Sequence, residues 1–471
     1  MTAPDMAETH EAATHTDVVA LDALGARGPY RARSRLTVTD VAGRESAELS
    51  LVPPLFVDRT LKALHRADPP GPDARTGMIG RAAELFATAT LNGLTAEEYT
   101  YRVSRVGGTP ISVVRATVAA IAARLRKVHH SVDKARPVGA VGRWDDPLTR
   151  AGRAVWVRRG DVFAVHAAGN HPGPHSLWPE ALALGYRVAV RPSRREPFTP
   201  HRLVTALRTA GFGDDRVALL PTDHATADAL LRGADLGLVY GGEDVVRKYA
   251  GDPSVLPQGP GRSKILLTRE VDWREHLDTI ADSVSGHGGT GCVNTTAVFV
   301  EGDPAPLCAA LAERLAAVPS LPPEDPAAVF PVQPLATAKA LEAHLLHRAA
   351  GTRAWLGGDG ILGDLGDGSA VLRAAVHQLG SPDAPQAAAE LPFPCVWVAP
   401  WSREAGLGPL RNSLVLTAIT SDDRLVAELV QEPSIGNVYV GDVPTYRMEP
   451  GLPHDGYLAE FLMRCKSVIR D

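Results

Sequence analysis

The stretch Gly286-His287-Gly288-Gly289-Thr290-Gly291-Cys292 runs straight into Val293-Asn294-Thr295-Thr296-Ala297-Val298-Phe299-Val300, and it constrains the chain more than any other. It sets one cysteine on a glycine-rich turn in front of an apolar run that reads as a buried strand. Glycine reaches backbone conformations closed to other residues and lets a ligand come close to the main chain. A thiol presented there is open to a substrate while the strand behind it fixes its position, as an attacking nucleophile requires. The competing reading is a small buried cysteine beside a loop. Gly286, Gly288 and Gly291 also fit the G-x-G-x-x-G dinucleotide pattern, which needs a strand before it and a helix after it. Here 278–284 reads as helix and the following run as strand, so that reading is rejected.

With 471 residues, the chain is long enough for two or three domains with substantial cores. A net charge of −5 and the lack of any basic run argue against nucleic-acid binding. No apolar stretch approaches the ~20 residues that span a bilayer. Cys292, Cys308, Cys395 and Cys465 are scattered, without zinc-ligand spacing, so a reduced, cytoplasmic protein is expected. His171 and His175 are four apart, but the proline and glycine around them indicate a loop, and no metal site is expected.

The polar, acidic start of the chain reads as a disordered lead, taken as residues 1–35. Helices are expected over 74–91 and, from Thr109-Pro110, through Ile111, Val114, Val118, Ile121, Leu125 and Val128. Val138–Val141 and Ala154–Val157 read as an antiparallel pair flanking a polar turn. From Asp161 strands and helices alternate: strands at 162–165, 187–190, 217–220 and 236–240, with helices at 177–184, 199–210 and 225–232. That rhythm implies a parallel sheet with helices on both faces, and ligands beyond the carboxyl ends of its strands. Asn170, Arg191 and Gly241 stand at such ends. A second α/β region begins near Gly259, and the proline-rich stretch Pro319–Pro326 reads as a surface excursion.

Several segments in order resemble the aldehyde dehydrogenase superfamily. Gly169-Asn170-His171-Pro172 resembles its Trp-Asn-Phe-Pro loop, and Val190-Arg191-Pro192-Ser193-Arg194 its Val-Lys-Pro-Ser-Glu. Gln258-Gly259-Pro260-Gly261-Arg262-Ser263 resembles Glu-Leu-Gly-Gly-Lys-Ser, and Glu390-Leu391-Pro392-Phe393-Pro394 resembles Glu-x-Phe-Gly-Pro. The resemblance implies a nicotinamide-binding parallel-sheet domain (36–258, with a β-flap hairpin at about 137–158). It also implies an α/β catalytic domain (259–430) and a C-terminal return and oligomerisation segment (431–471). Cys292 becomes the nucleophile and Asn170 an oxyanion donor beside the Cys292 backbone. Arg191, Ser193, Arg194, Gly241, Gly242 and Glu390 would bind the cofactor, Gly241 and Gly242 at a helix N-terminus. His287 is an auxiliary candidate for lowering the thiol pKa.

Two departures from the family pattern direct the functional expectation. Where hydrolytic members carry a water-activating glutamate, this chain has Gln258, whose amide accepts no proton. A thioester on Cys292 then persists, which is the situation in acyl reductases. The chain resembles that branch, particularly the aldehyde-dehydrogenase-like subunits of two-component aryl carboxylic acid reductases in phenazine and aminohydroxybenzaldehyde pathways. The expected reaction is NADPH-dependent reduction of an activated acyl compound to an aldehyde, with a separate adenylating enzyme as partner and a homodimer or tetramer as the assembly. Arg191 and Arg194 replace a lysine and a glutamate, which favours NADPH over NADH by exchanging repulsion of a 2′-phosphate for a guanidinium partner. The alternatives are an aldehyde oxidiser using some other base and a non-catalytic partner subunit.

Overall fold

The structure, a computed structural model, describes residues 17–470. Two seven-stranded sheets dominate it. In strand order the first runs Val255–Gln258, Leu236–Tyr240, Val162–His166, Arg187–Arg191, Val217–Leu219, Ala23–Gly25 and Gly28–Tyr30. Its first five strands are parallel. Apart from Arg191 at the end of its strand, the middle strands Val162–His166, Arg187–Arg191 and Val217–Leu219 are fully buried, as expected where helices cover both faces. One face packs Phe163, Val165, Val188 and Val190 against Trp178, Tyr186 and the helices Pro72–Thr88, Ile111–Arg126 and Phe198–Leu207.

The second sheet runs Arg353–Leu356, Ala375–Gln378, Cys395–Trp401, Thr295–Glu301, Ser263–Leu267, Ser413–Ile419 and Ile435–Val440. All its pairings are parallel except that of Arg353–Leu356 with Ala375–Gln378. Leu266, Phe299, Trp397 and Leu416 fill one face and Ile265, Val298 and Val398 the other. The α/β fold with two parallel-sheet bodies is the one expected. The helices predicted over 74–91 and from 111 appear as Pro72–Thr88 and Ile111–Arg126.

Three expectations are corrected. Of the lead assigned to residues 1–35, residues 1–16 lie outside the described residues, but 19–30 form strands. Ala23–Gly25 pairs antiparallel with Val217–Leu219, extending the first sheet, because its apolar side chains are buried there. The proposed 138–141/154–157 hairpin does not form. Val141 makes only an isolated parallel bridge to Val155, whereas Arg153–Arg158 pairs along its whole length with the C-terminal strand Met463–Val468. Local alternation of apolar residues marks a strand but does not name its partner. Third, Ile435–Val440 is the edge strand of the second sheet, so that body extends past residue 430.

The Gly-rich stretch follows the helix Leu277–Ser285 and precedes the strand Thr295–Glu301, the reverse of a dinucleotide-binding turn.

Candidate active site

A cavity of about 860 Å³ lies between the two bodies, at the carboxyl ends of the first sheet's strands. Its size falls within the range of small-molecule and cofactor pockets. Strand register sets two of its lining residues, Tyr240 and Gln258, side by side. The cavity brings together every candidate residue, namely Cys292, Asn170, Arg191, Ser193, Arg194, Gly241, Gly242, Gln258, His287 and Glu390.

Cys292 sits half-buried at the start of the strand Thr295–Glu301, on a loop held by specific contacts. Gly291 N–H donates to Asn294 Oδ1 at 2.9 Å, and Asn294 Nδ2 donates to the carbonyls of Ser283 and Gly286 at 3.2 and 2.7 Å. Ser263 Oγ donates to the Cys292 carbonyl at 2.9 Å. Gly261 lies against the same peptide so closely that a Cβ would fall 1.8 Å from the Cys292 carbonyl oxygen; only glycine fits. Asn170 Nδ2 donates to the Thr290 carbonyl at 3.0 Å, which ties the loop after Val162–His166 to the loop carrying the cysteine.

The thiol is pushed well above its ordinary pKa by burial, and the carboxylates of Asp455 and Glu390 add to the effect. Backbone N–H groups of Cys292 and Val293 act in the opposite sense. His287 does not supply the expected positive charge. Its backbone is left-handed (φ 56°), its ring stacks on His171 at 5.7 Å and meets Tyr446 at 4.8 Å, and burial lowers its pKa. The imidazole that reaches the sulfur belongs to His454, whose Nε2 is 3.9 Å from Sγ. His454 and Asp455 come from the loop after the edge strand Ile435–Val440. Sequence reasoning missed both because they lie far along the chain in a stretch with no motif.

Glu390 is half-buried, and its Oε2 accepts from the backbone N–H of Arg262 at 2.8 Å. Burial raises its pKa, and the Arg262 and Gly261 amides partly oppose that. Glu243 opens the helix Glu243–Tyr249, as expected, and pairs with the Arg262 side chain.

The other group of wall residues is cationic. Arg191 Nε donates to Thr222 Oγ1 at 2.9 Å, and its pKa is lowered by burial and by neighbouring Arg194. The buried Nε of Arg194 has no hydrogen-bond partner among the described residues. Gly242 caps the helix Glu243–Tyr249, with open space where a side chain would be, while a Cβ on Gly241 would strike Val245 at 2.6 Å. Two guanidiniums, one holding an unused donor, and an unobstructed glycine amide suit the phosphates of a nicotinamide dinucleotide. His171 and His175 are engaged locally. His171 Nδ1 accepts from Gly173 N–H at 3.0 Å, and His175 Nδ1 from Trp178 Nε1 at 3.3 Å.

The sequence model of the aldehyde dehydrogenase family matches residues 74–461. The chain belongs to that family. Among curated proteins it is similar to an aldehyde-dehydrogenase-like protein of Sinorhizobium fredii, 21% identical over 161 residues. That match spans 32% of this chain and only 31% of the relative. Among solved structures it is similar to gamma-glutamyl-gamma-aminobutyraldehyde dehydrogenase from Burkholderia cenocepacia, with a TM-score of 0.81 at 18% identity over 95% of this chain and 97% of that one. It is also similar to an indole-3-acetaldehyde dehydrogenase complexed with NAD+ (TM-score 0.81, 18% identity, 95% of each chain). A third is aldehyde dehydrogenase 21 from Physcomitrella patens, in complex with its reaction product succinate (TM-score 0.79, 15% identity, 96% and 98%). At these identities the likeness is one of fold.

Proposed function

We propose that this member of the aldehyde dehydrogenase family, an NAD(P)-dependent oxidoreductase acting on aldehydes, oxidises an aldehyde to its carboxylic acid through a thioester on Cys292. One observation carries the direction: the Asp455 carboxylate stands in the wall of the cavity that holds the thiol, close enough to act on its charge. Gln258 lines the same cavity and accepts no proton, so a site with Gln258 alone would favour reduction. Asp455 supplies a carboxylate there. Burial raises its pKa, making it a stronger base than an ordinary surface aspartate.

In this reading the Cys292 sulfur adds to the aldehyde carbon. Asn170 turns its amide from the Thr290 carbonyl to the developing oxyanion, which needs it only at that moment. When bound, the nicotinamide supplies the hydride acceptor. Glu390 would hold its ribose, and Arg191, Ser193, Arg194, Gly241 and Gly242, which line the same cavity, would hold the adenosine and phosphate end. The paired guanidiniums favour a 2′-phosphorylated cofactor, so NADP is preferred over NAD. Asp455 then takes a proton from water as it attacks the thioester and releases the acid.

A second reading, acyl reduction with NADPH, is favoured by one observation, the amide of Gln258 where hydrolytic relatives carry glutamate. There the acyl group arrives activated, from a separate adenylating enzyme, and leaves as aldehyde. The test incubates the protein with a panel of aldehydes and NADP+, following reduced cofactor and free acid. In parallel, acyl thioesters and acyl adenylates are supplied with NADPH. Multiple turnovers to free acid are expected. One equivalent of reduced cofactor without acid, together with aldehyde production from the activated acyl compounds, would overturn oxidation in favour of reduction.

A further inference from the structure

His454 is the one side chain that hydrogen-bonds the Cys292 sulfur among the described residues. The two are 162 residues apart in sequence, and the fold holds them together through the second sheet. Asn437 Nδ2, on the edge strand, donates to the His454 carbonyl at 2.5 Å and to the Leu414 carbonyl at 2.9 Å. Leu414 N–H in turn donates to the carbonyl of Gly261 at 2.8 Å, and Gly261 abuts Cys292. Imidazole and thiol are thus anchored to the same strand ends.

We propose that His454 is the proton acceptor that activates Cys292, taking the thiol proton on Nε2 and forming a thiolate–imidazolium pair for attack. The proposal rests on Cys292 being the nucleophile and is indifferent to the direction of turnover. In the step the S–H bond breaks and an N–H bond forms, with no change in the net charge of the pair. The proton returns to sulfur when the acyl group leaves. The site needs such an acceptor, since burial and two carboxylates disfavour the free thiolate, and the ring of His454 is the side-chain group within hydrogen-bond reach of the sulfur among the described residues. Burial also lowers the His454 pKa, which favours the neutral ring that can take up a proton. Asp455 Oδ2, 3.7 Å from the same Nε2, stabilises the imidazolium once formed. Arg124, from the helix Ile111–Arg126, opposes it, and the Glu390 carboxylate acts on the sulfur from the wall of the same cavity.

The experiment measures iodoacetamide alkylation of individual cysteines by peptide mass spectrometry across pH, in the full-length protein without cofactor. Exposed Cys465 serves as the internal reference. In the unaltered protein, Cys292 should alkylate with a plateau near neutral pH. In His454→Gln its rate at neutral pH, relative to Cys465, should fall at least ~10-fold and rise steadily with pH as for an unassisted thiol. An unchanged ratio in His454→Gln would overturn the proposal. If that variant does not fold, the unaltered protein decides alone: a Cys292 profile parallel to that of Cys465 overturns the proposal, and a plateau upholds it. Absence of turnover with any aldehyde alongside a His454-dependent profile would remove the oxidative reading and leave the pair standing. Cys292-dependent turnover with a profile indifferent to His454 would do the reverse.

Discussion

Replacing Gly261 by alanine tests whether the placement of the Cys292 peptide limits catalysis. The new methyl group would lie 1.8 Å from the Cys292 carbonyl oxygen, 2.6 Å from its carbonyl carbon and 2.9 Å from its Cβ. A non-bonded carbon–oxygen contact relaxes to about 3.3 Å, so one partner must retreat by roughly 1.5 Å. Gly261 is fixed by the bond that its carbonyl accepts from Leu414 N–H, whereas Cys292 sits on a glycine-rich turn. The cysteine loop is therefore the partner that moves. Its move strains the bond from Ser263 Oγ to the same carbonyl, worth about 1 kcal/mol. Overpacking adds about 1–3 kcal/mol, enough to lower Tm without unfolding a chain of this size. A displacement beyond 1 Å at the nucleophile costs about 10²-fold or more in rate. Steady-state kinetics should show that loss in kcat with little change in KM for the cofactor. Gly251→Ala, with open space at its Cβ, serves as the control. If Gly261→Ala stays within about threefold of the parent in kcat, placement of this peptide does not limit the chemistry and the reasoning fails.

Three further outcomes are expected. Asp455→Asn should still give a burst of reduced cofactor, slowed because Asp455 also faces the His454 imidazolium, and should slow steady-state acid release further, at least ~10-fold below the burst; a steady-state rate equal to the burst rate would place the water-activating base elsewhere. Arg194→Glu should shift the kcat/KM ratio of NADP+ over NAD+ downward by about tenfold or more, and an unchanged ratio would remove the guanidinium argument. Glu196 is buried and its pKa is pushed up to about 7 from 4.5 by desolvation, although Thr199 N–H donates to it at 2.8 Å. Because its folded value lies above its unfolded one, burial costs nothing below about pH 4.5 and the full amount, about 3 kcal/mol, above about pH 7. Glu196→Gln keeps the acceptor, so chemical denaturation should show it stabilised at about pH 8 and little changed at about pH 5. Equal effects at both would refute the assignment.

Local pattern carried much of this molecule. The strands at Val162–His166, Arg187–Arg191 and Leu236–Tyr240 were legible because buried parallel strands are short apolar runs between helical periods. The position of Cys292 was legible because glycine-rich turns are visible in composition. The partner of Arg153–Arg158 was not, since the strand it pairs with begins at residue 463 and nothing local distinguishes it from the nearer run at 138–141. His287, close to Cys292 in sequence, was the natural candidate to influence the thiol, but its left-handed backbone turns the ring onto His171 and Tyr446.

From the sequence alone came the candidate nucleophile Cys292, its glycine-rich mounting, the guanidiniums at one strand end and the amide at position 258. Each is a choice of residue type at a place that local rules make recognisable. Tertiary structure alone decided what surrounds the sulfur, because His454 and Asp455 arrive by long-range packing of a C-terminal loop anchored through Asn437. Acid–base chemistry depends on distances of a few ångströms between groups, and sequence separation carries no information about those once the chain has folded back on itself.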